Sequence, residues 1–277
     1  MKTRRLVGSI LLHAVLLLGA FSALLPFFWM VITSLKVPEQ MFVMPPQWLP
    51  EPVTFRNYEQ LFTYIPFARQ FFNTLFVTVT IVAGQLLFSS MGAYAFARLK
   101  FPGREPLFLL FLATLMVPSV VTLIPAFILV REFGWINTYM AIIGPYFLGS
   151  AFATFLLRQF MLTIPEELEE AAKIDGAGHF TIFRAVILPL VKPALAVVGV
   201  FSFIYFWNDF LWPLVVINSE AMKVLTVGIA TLASSHYGTD WGVLMAGSVL
   251  TVLPLVIVFF LAQRQIVEGI ATTGLKG

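Results

Sequence analysis

The chain has 277 residues, 59% of them hydrophobic and only 11% charged, with no cysteine and a formal net charge of +3. Soluble domains carry about 25% charged residues, so this chain cannot cover a globule with polar side chains, and the bilayer is its expected solvent. The missing cysteine excludes disulfides, thiolate metal sites and thiol catalysis. The basic residues flank apolar runs instead of clustering, which argues against nucleic acid.

In chain order, the first uncharged run covers 6–35. It is longer than the ~7–15-residue apolar region of a signal peptide and reads as a retained anchor. Apolar runs near the ~20 residues that a spanning helix needs lie at 8–32, 71–96, 107–130, 136–157, 193–217 and 242–263. The expectation is an all-α integral membrane protein with six transmembrane helices. A seventh apolar stretch, 224–235, is too short to span and reads as a surface or re-entrant segment. With both termini cytoplasmic, twelve of the 17 Lys and Arg residues fall on the cytoplasmic side. Lys36, Arg56, Arg69, Arg131 and Lys223 fall outside, the bias of the positive-inside rule. A first outer loop, about 34–70, carries prolines that forbid a continuous helix and Trp48, suited to a membrane interface. These boundaries divide the chain into a tail, first span and outer loop (1–69), a main membrane domain (70–264) with a cytoplasmic loop at about 160–190, and a tail (265–277).

That cytoplasmic loop holds PEELEEAAKIDGAG, residues 165–178, with five acids against Lys173. Pro165 suits a first helical turn, with Thr163 as its cap. The glutamates favour the positive end of the helix dipole, and Ala171 and Ala172 propagate the helix. Asp175 and Gly176 end it, glycine being able to adopt the left-handed cap. Helix resumes in HFTIFRAVILPLVKP, with Phe180, Phe183, Val186 and Ile187 forming an apolar stripe. Ala171, Ala172, Gly176, Ala177 and Gly178 leave a smooth surface beside a carboxylate, suited to docking on another protein.

EAAKIDGAGHFTIFRAVILPLVKP resembles the EAA loop of type I ABC-importer permeases through Glu170-Ala171-Ala172, Asp175-Gly176-Ala177 and Leu188-Pro189. FARLKFPGR (96–104), FIYFWNDFLWPLVV (203–216), MAGSVLTVLP (245–254) and the closing GLKG resemble the carbohydrate-uptake branch, similar to the maltose permease G subunit. The resemblance implies the type I permease fold in a bacterial-type inner membrane. It also implies a binding-protein-dependent sugar importer in which this subunit catalyses no bond change. Its implied partners are a second homologous permease, two ATPase subunits and an extracytoplasmic sugar-binding protein on the loops near 34–70 and 218–241. Glu170, Ala171, Ala172, Asp175, Gly176, Ala177, His179, Leu188 and Pro189 would form the ATPase-coupling surface.

No G-x-x-x-x-G-K-[ST] phosphate loop occurs, so ATP and Mg would belong to the partner ATPase, with no cofactor on this chain. Asp209 is the one acid expected within a span. It reads either as a residue of the translocation path or as part of a polar kink at Pro213. Beside it, Asn208 could hydrogen-bond a sugar or a neighbouring helix, and Trp207 and Trp212 could stack on a pyranose or pack. His13, His179 and His236 are too scattered for a metal site. The alternatives are the same mechanism with a polyol, a glycerophosphodiester or another small solute, and an ion-gradient secondary transporter. The latter would need ionisable residues in several spans.

Overall fold

A chain that lies in hydrocarbon must satisfy its backbone hydrogen bonds internally, which favours helix. The computed structural model describes residues 2–233 and 239–274, with side chains from 8 to 265 within those limits, and contains no strand among them. His236 and the final three residues of the GLKG tail lie outside the described residues. The helices are α1 (Lys2–Ser34), α2 (Arg56–Tyr64), α3 (Phe67–Arg98), α4 (Arg104–Ala113), α5 (Ser119–Glu132), α6 (Tyr139–Phe147) and α7 (Ala151–Leu162). They continue with α8 (Glu167–Ile174), α9 (His179–Ile182), α10 (Leu188–Leu190), α11 (Lys192–Trp207), α12 (Leu211–Val216), α13 (Leu225–Ala233) and α14 (Trp241–Gly274). Gly8–Ser34, Phe67–Arg98, Tyr139–Leu162 and Trp241–Gln265 are each long and apolar enough to span. Two bent pairs, Arg104–Met116 with Ser119–Glu132 and His179–Leu190 with Lys192–Trp207, bring the number to six when each pair is counted as one span.

Three expectations are corrected. The run 107–130 is two helices meeting at 101°. Pro118 disfavours helical geometry at the residue before it, and Val117 is extended at φ −83°, ψ 116°. The run 193–217 breaks at Asn208–Phe210 and not at Pro213, which sits in the first turn of α12, where a missing N–H is tolerated. Asn208 and Asp209 instead offer side chains that compete for the backbone. Asn208 Nδ2 donates to the Ile204 carbonyl at 2.8 Å, and the amides of Trp212 and Phe210 donate to the Asp209 carboxylate. The stretch 224–235 is not a surface segment at its start, because Val224, Leu225 and Val227 are buried.

The chain forms two compact units, residues 1–68 with 228–254 and residues 69–227 with 255–277. In the first unit α1 shows an apolar surface exposed along most of its length. At its end Asn57 Nδ2 donates to the carbonyls of Ser34 and Lys36 at 2.9 and 2.8 Å. The loop from Met41 to Phe55 is free of helix, as its prolines require. Lys36, counted from sequence as a loop charge, is instead buried. Its ammonium donates to the Gln47 carbonyl and lies 4.4 Å over the Trp29 ring, and burial pushes its pKa down. Trp29 in turn meets the half-exposed Trp48 edge-on at 5.4 Å.

In the second unit α3 is the central member. Ile81, Ala141, Ile142, Trp212 and Val216 form one core. Ala93, Tyr94 and Ala97 of α3 meet Leu157 and Met161 of α7 and Ile182, Phe183 and Ile187 in another. Polar layers close the two ends of α3. At one, Asn73 Nδ2 donates to the carbonyls of Ala221 and Lys223, and Asn73 Oδ1 accepts from the Tyr139 hydroxyl at 2.7 Å. At the other stands Arg98. The 25 residue steps from Asn73 to Arg98 correspond to ~38 Å of helix, enough to cross a bilayer.

Gly84 shows how closely α3 is packed: a β-carbon there would lie 2.4 Å from both the ring and the carbonyl of Phe147. Gly84→Ala is therefore expected to destabilise the protein by about 1–3 kcal/mol, read as a lower Tm of the purified protein in detergent. An unchanged Tm would show that Phe147 moves aside without cost.

Candidate functional site

The acidic stretch forms a hairpin at the Arg98 end of α3. Helix α7 stops at Leu162, and Thr163 closes it, its hydroxyl donating to the Phe160 carbonyl at 2.8 Å. Thr163 is thus a C-terminal residue of α7 and not the cap of α8. Pro165 also lies ahead of α8. Glu166 is the N-cap, its carbonyl accepting the amides of Glu169 and Glu170 at 2.9 and 3.1 Å. The first turn then carries Glu167, Glu169 and Glu170, where the dipole favours anions.

The far end of α8 is a Schellman turn. The Gly176 amide donates to the Lys173 carbonyl at 3.0 Å and the Ala177 amide to the Ala172 carbonyl at 2.9 Å, the paired bonds of that motif. Gly176 takes φ +84°, and nothing lies within 4 Å of a β-carbon placed on it. The requirement for glycine is therefore one of backbone conformation and not of space.

Beyond the turn, α9, a π turn at Phe183–Ile187 and α10 follow one another. Pro189 has no N–H to continue the α pattern. Ile182, Phe183 and Ile187 are buried, whereas Phe180 is 67% exposed, so the stripe expected from sequence is split and Ile182 takes the inward place. Ile174 is 87% exposed and Leu168 is also exposed. Of the other residues singled out from sequence, Glu170, Ala171, Asp175, His179 and Pro189 are exposed. Ala172, Ala177 and Leu188 pack against the buried cluster.

Sequence reasoning assigned no role to Arg98, although FARLKFPGR contains it. Its side chain is 5% exposed. Nε lies 2.9 Å from Glu169 Oε1 and Nη1 lies 3.5 Å from Glu166 Oε1. Nη2 donates to the carbonyls of Met161 and Ile164. The signal available in the sequence was an arginine closing a long apolar run, one turn after Tyr94. Arg158 of α7 adds a second tie, with Nε donating to the Phe96 carbonyl at 3.1 Å and Nη2 to Glu105.

The residues proposed for a path separate. Trp207 is buried, stacked on Phe203 at 5.4 Å, and Trp212 is buried with Nε1 donating to the Ala141 carbonyl at 2.9 Å. Asn208 is exposed and bonded to its own helix, and Asp209 is half-buried. A cavity of about 640 Å³ opens instead beside Gln85, Tyr146, Ser150, Ser202, Tyr205 and Phe206. Gln85 bridges it, its Oε1 accepting from Ser202 at 3.0 Å and its Nε2 reaching the Tyr146 carbonyl at 3.3 Å.

Residues 85–272 match the family described as binding-protein-dependent transport system inner membrane component. The chain is 40% identical over 229 residues to the arabinooligosaccharides transport system permease protein AraQ of Halalkalibacterium halodurans, covering 82% of this chain and 81% of that one. It is 34% identical over 278 residues to the sn-glycerol-3-phosphate transport system permease protein UgpE of Brucella abortus, covering 98% of each. Its fold is similar to that of a chain in a bacterial ABC transporter that imports the acidic polysaccharide alginate, with TM-score 0.84, 26% identity, and 96% of this chain and 98% of that one covered. These matches set aside the ion-gradient alternative. The chain belongs to the inner membrane components of binding-protein-dependent transport systems: it is a multi-pass, non-catalytic permease subunit of an ABC importer.

Proposed function

We propose that this permease pairs with a second, homologous permease to import a sugar, and that α8 with its glycine turn is the surface gripped by one of two ATPase subunits, the other gripping the partner permease. The observation that carries the docking reading is the pairing of exposed and anchored faces on one short hairpin. Ile174 and Phe180, either side of Gly176, are exposed, while Glu169 on the opposite face is tied to α3. Water is an unfavourable environment for two large apolar side chains on a loop, and a groove on a soluble partner would remove both from it. Glu170, exposed beside the small Ala171, offers a carboxylate to a donor in that groove. ATP and Mg would reside in the partner. Closure of the ATPases on ATP would draw the coupling hairpins together and turn the paired permeases outward, toward a solute-loaded binding protein on the outer loops. The termini are cytoplasmic in this reading, supported by the excess of Lys and Arg on that side.

Sugar is favoured over the glycerol phosphate named for UgpE because the largely apolar cavity combines aromatic faces (Tyr146, Tyr205, Phe206) with a few neutral polar groups (Gln85, Ser150, Ser202) and, among the described residues, no basic side chain. Pyranoses present an apolar face and hydroxyls to such walls, whereas a phosphate calls for a cation. Asn208 and Asp209, in the helix break, do not line this cavity and are assigned to a separate stretch of the path, with the buried Trp207 packed beside them. Tyr205→Ala is expected to lower uptake of labelled oligosaccharide several-fold while ATPase retention stays normal. Unchanged uptake would remove Tyr205 from the path.

Ile174→Asp and Phe180→Asp test the docking surface. Burying a side chain of this size contributes ~1.5–3 kcal/mol, so each change is expected to weaken ATPase binding about ten- to hundredfold. Titration of solubilised permease with the purified ATPase measures this, and undiminished binding by both variants would place the contact elsewhere. Gly176→Val tests the turn. A β-carbon in left-handed geometry costs about 1–2 kcal/mol, and Asn tolerates that geometry better. Val is expected to lower uptake at normal membrane abundance, with Asn close to the parent; equal uptake by all three would show that the left-handed turn is not required.

A further inference from the structure

We propose that Arg98 is a positioning residue that makes α8 and α3 move as one body, so that displacement of the docking helix enters the membrane domain instead of being absorbed by the loop. This rests on the reading of α8 as the ATPase-docking helix. One guanidinium joins three elements. It closes the end of α7 by donating to the Met161 carbonyl, which also accepts the Ile164 amide, and to the Ile164 carbonyl just beyond the helix. It holds the start of α8 through Glu169 and Glu166, and it is itself the last residue of α3.

The second limb of the hairpin is held by the same face of α3. Tyr94 lies one turn before Arg98, the spacing that places two side chains on one helical face, and its ring centroid is 5.3 Å from that of Phe183. The two limbs of the hairpin are thus fixed by an ion pair at one end and by packed rings at the other. Arg98 and Glu169 side chains are 5% and 6% exposed, so sliding α8 along α3 would strand a charge away from water. Adjacent glutamates divide the work: Glu169 faces inward to Arg98 and Glu170 faces outward. Lysine could not replace Arg98 fully, since an ammonium is a point charge without the planar fork that reaches carbonyls and carboxylate together.

The chain has no cysteine, so spin labels can be placed cleanly at Lys100→Cys, just beyond α3, and Lys173→Cys on α8, both exposed. Pulsed electron–electron distance measurement on the assembled transporter, otherwise cysteine-free, is expected to give one narrow distribution with Arg98 and Glu169 in place. Arg98→Ala and Glu169→Gln should broaden it, and Arg98→Lys should fall between. In the same preparations ATPase retention should stay within twofold, while ATP hydrolysed per solute imported rises at least fivefold. Equally narrow distributions in Arg98→Ala and Glu169→Gln would overturn the proposal. So would loss of assembly in the conservative Glu169→Gln, which would make the pair a structural element only. Failure of the docking reading shows differently: Ile174→Asp and Phe180→Asp would leave retention intact while the Arg98 variants still broadened the distance.

Discussion

A helix end placed where water is scarce must find its hydrogen-bond partners in side chains or in nearby backbone, and several helix ends of this permease are organised by that constraint. The chain interrupts its helices repeatedly, and polar side chains stand at several of the interruptions. Asn57 takes the carbonyls beyond α1, and Asn73 takes those leading into α13. The Asp209 carboxylate receives the amides that open α12, and Arg98 takes the carbonyls that close α7. An unsatisfied buried polar group costs about 1–3 kcal/mol, so these few residues decide where the membrane helices are allowed to stop.

The same economy explains the charge distribution in the second unit. Its interior between Asn73 and Arg98 is packed with Ala, Ile, Val and aromatic rings, with neutral polar side chains such as Thr78, Gln85 and Ser89 buried among them and no charged residue on that length of α3. Charges gather at the Arg98 end, where Arg98, Arg104 and Arg158 meet Glu105, Glu166 and Glu169. Most surface ion pairs contribute ~0–1 kcal/mol. The Arg98–Glu169 pair differs because both partners are buried and share a network with backbone carbonyls. Removing one member of such a pair leaves an uncompensated charge, at a cost of about 3–5 kcal/mol.

The hairpin then combines rigidity with exposure. Its inner face is fixed to α3 and α7, and its outer face presents Ile174, Phe180 and Glu170. A left-handed glycine between them reverses the chain without adding a side chain to the surface. This arrangement suits a handle: the surface to be gripped is small and open, and the load passes directly into a 32-residue helix.

Composition and run length by themselves determined that the chain is helical and lives in the membrane, because 11% charge leaves no other solvent. The helix-ending role of Gly176 was equally legible, since turn chemistry is local. The family was legible from the run Glu170 to Pro189. Only the tertiary structure decided where spans bend, because proline and asparagine can be accommodated or can break a helix depending on what lies alongside. Pro118 marks a sharp bend while Pro213 sits within a helix. Only packing could tell Glu169 from Glu170, neighbours of identical chemistry, by placing one against a buried arginine 71 residues earlier in the chain. Packing likewise turned Trp207 into the core and Tyr205 toward a cavity. Side-chain direction on an apolar helix carries no local signal, and neighbouring helices set it.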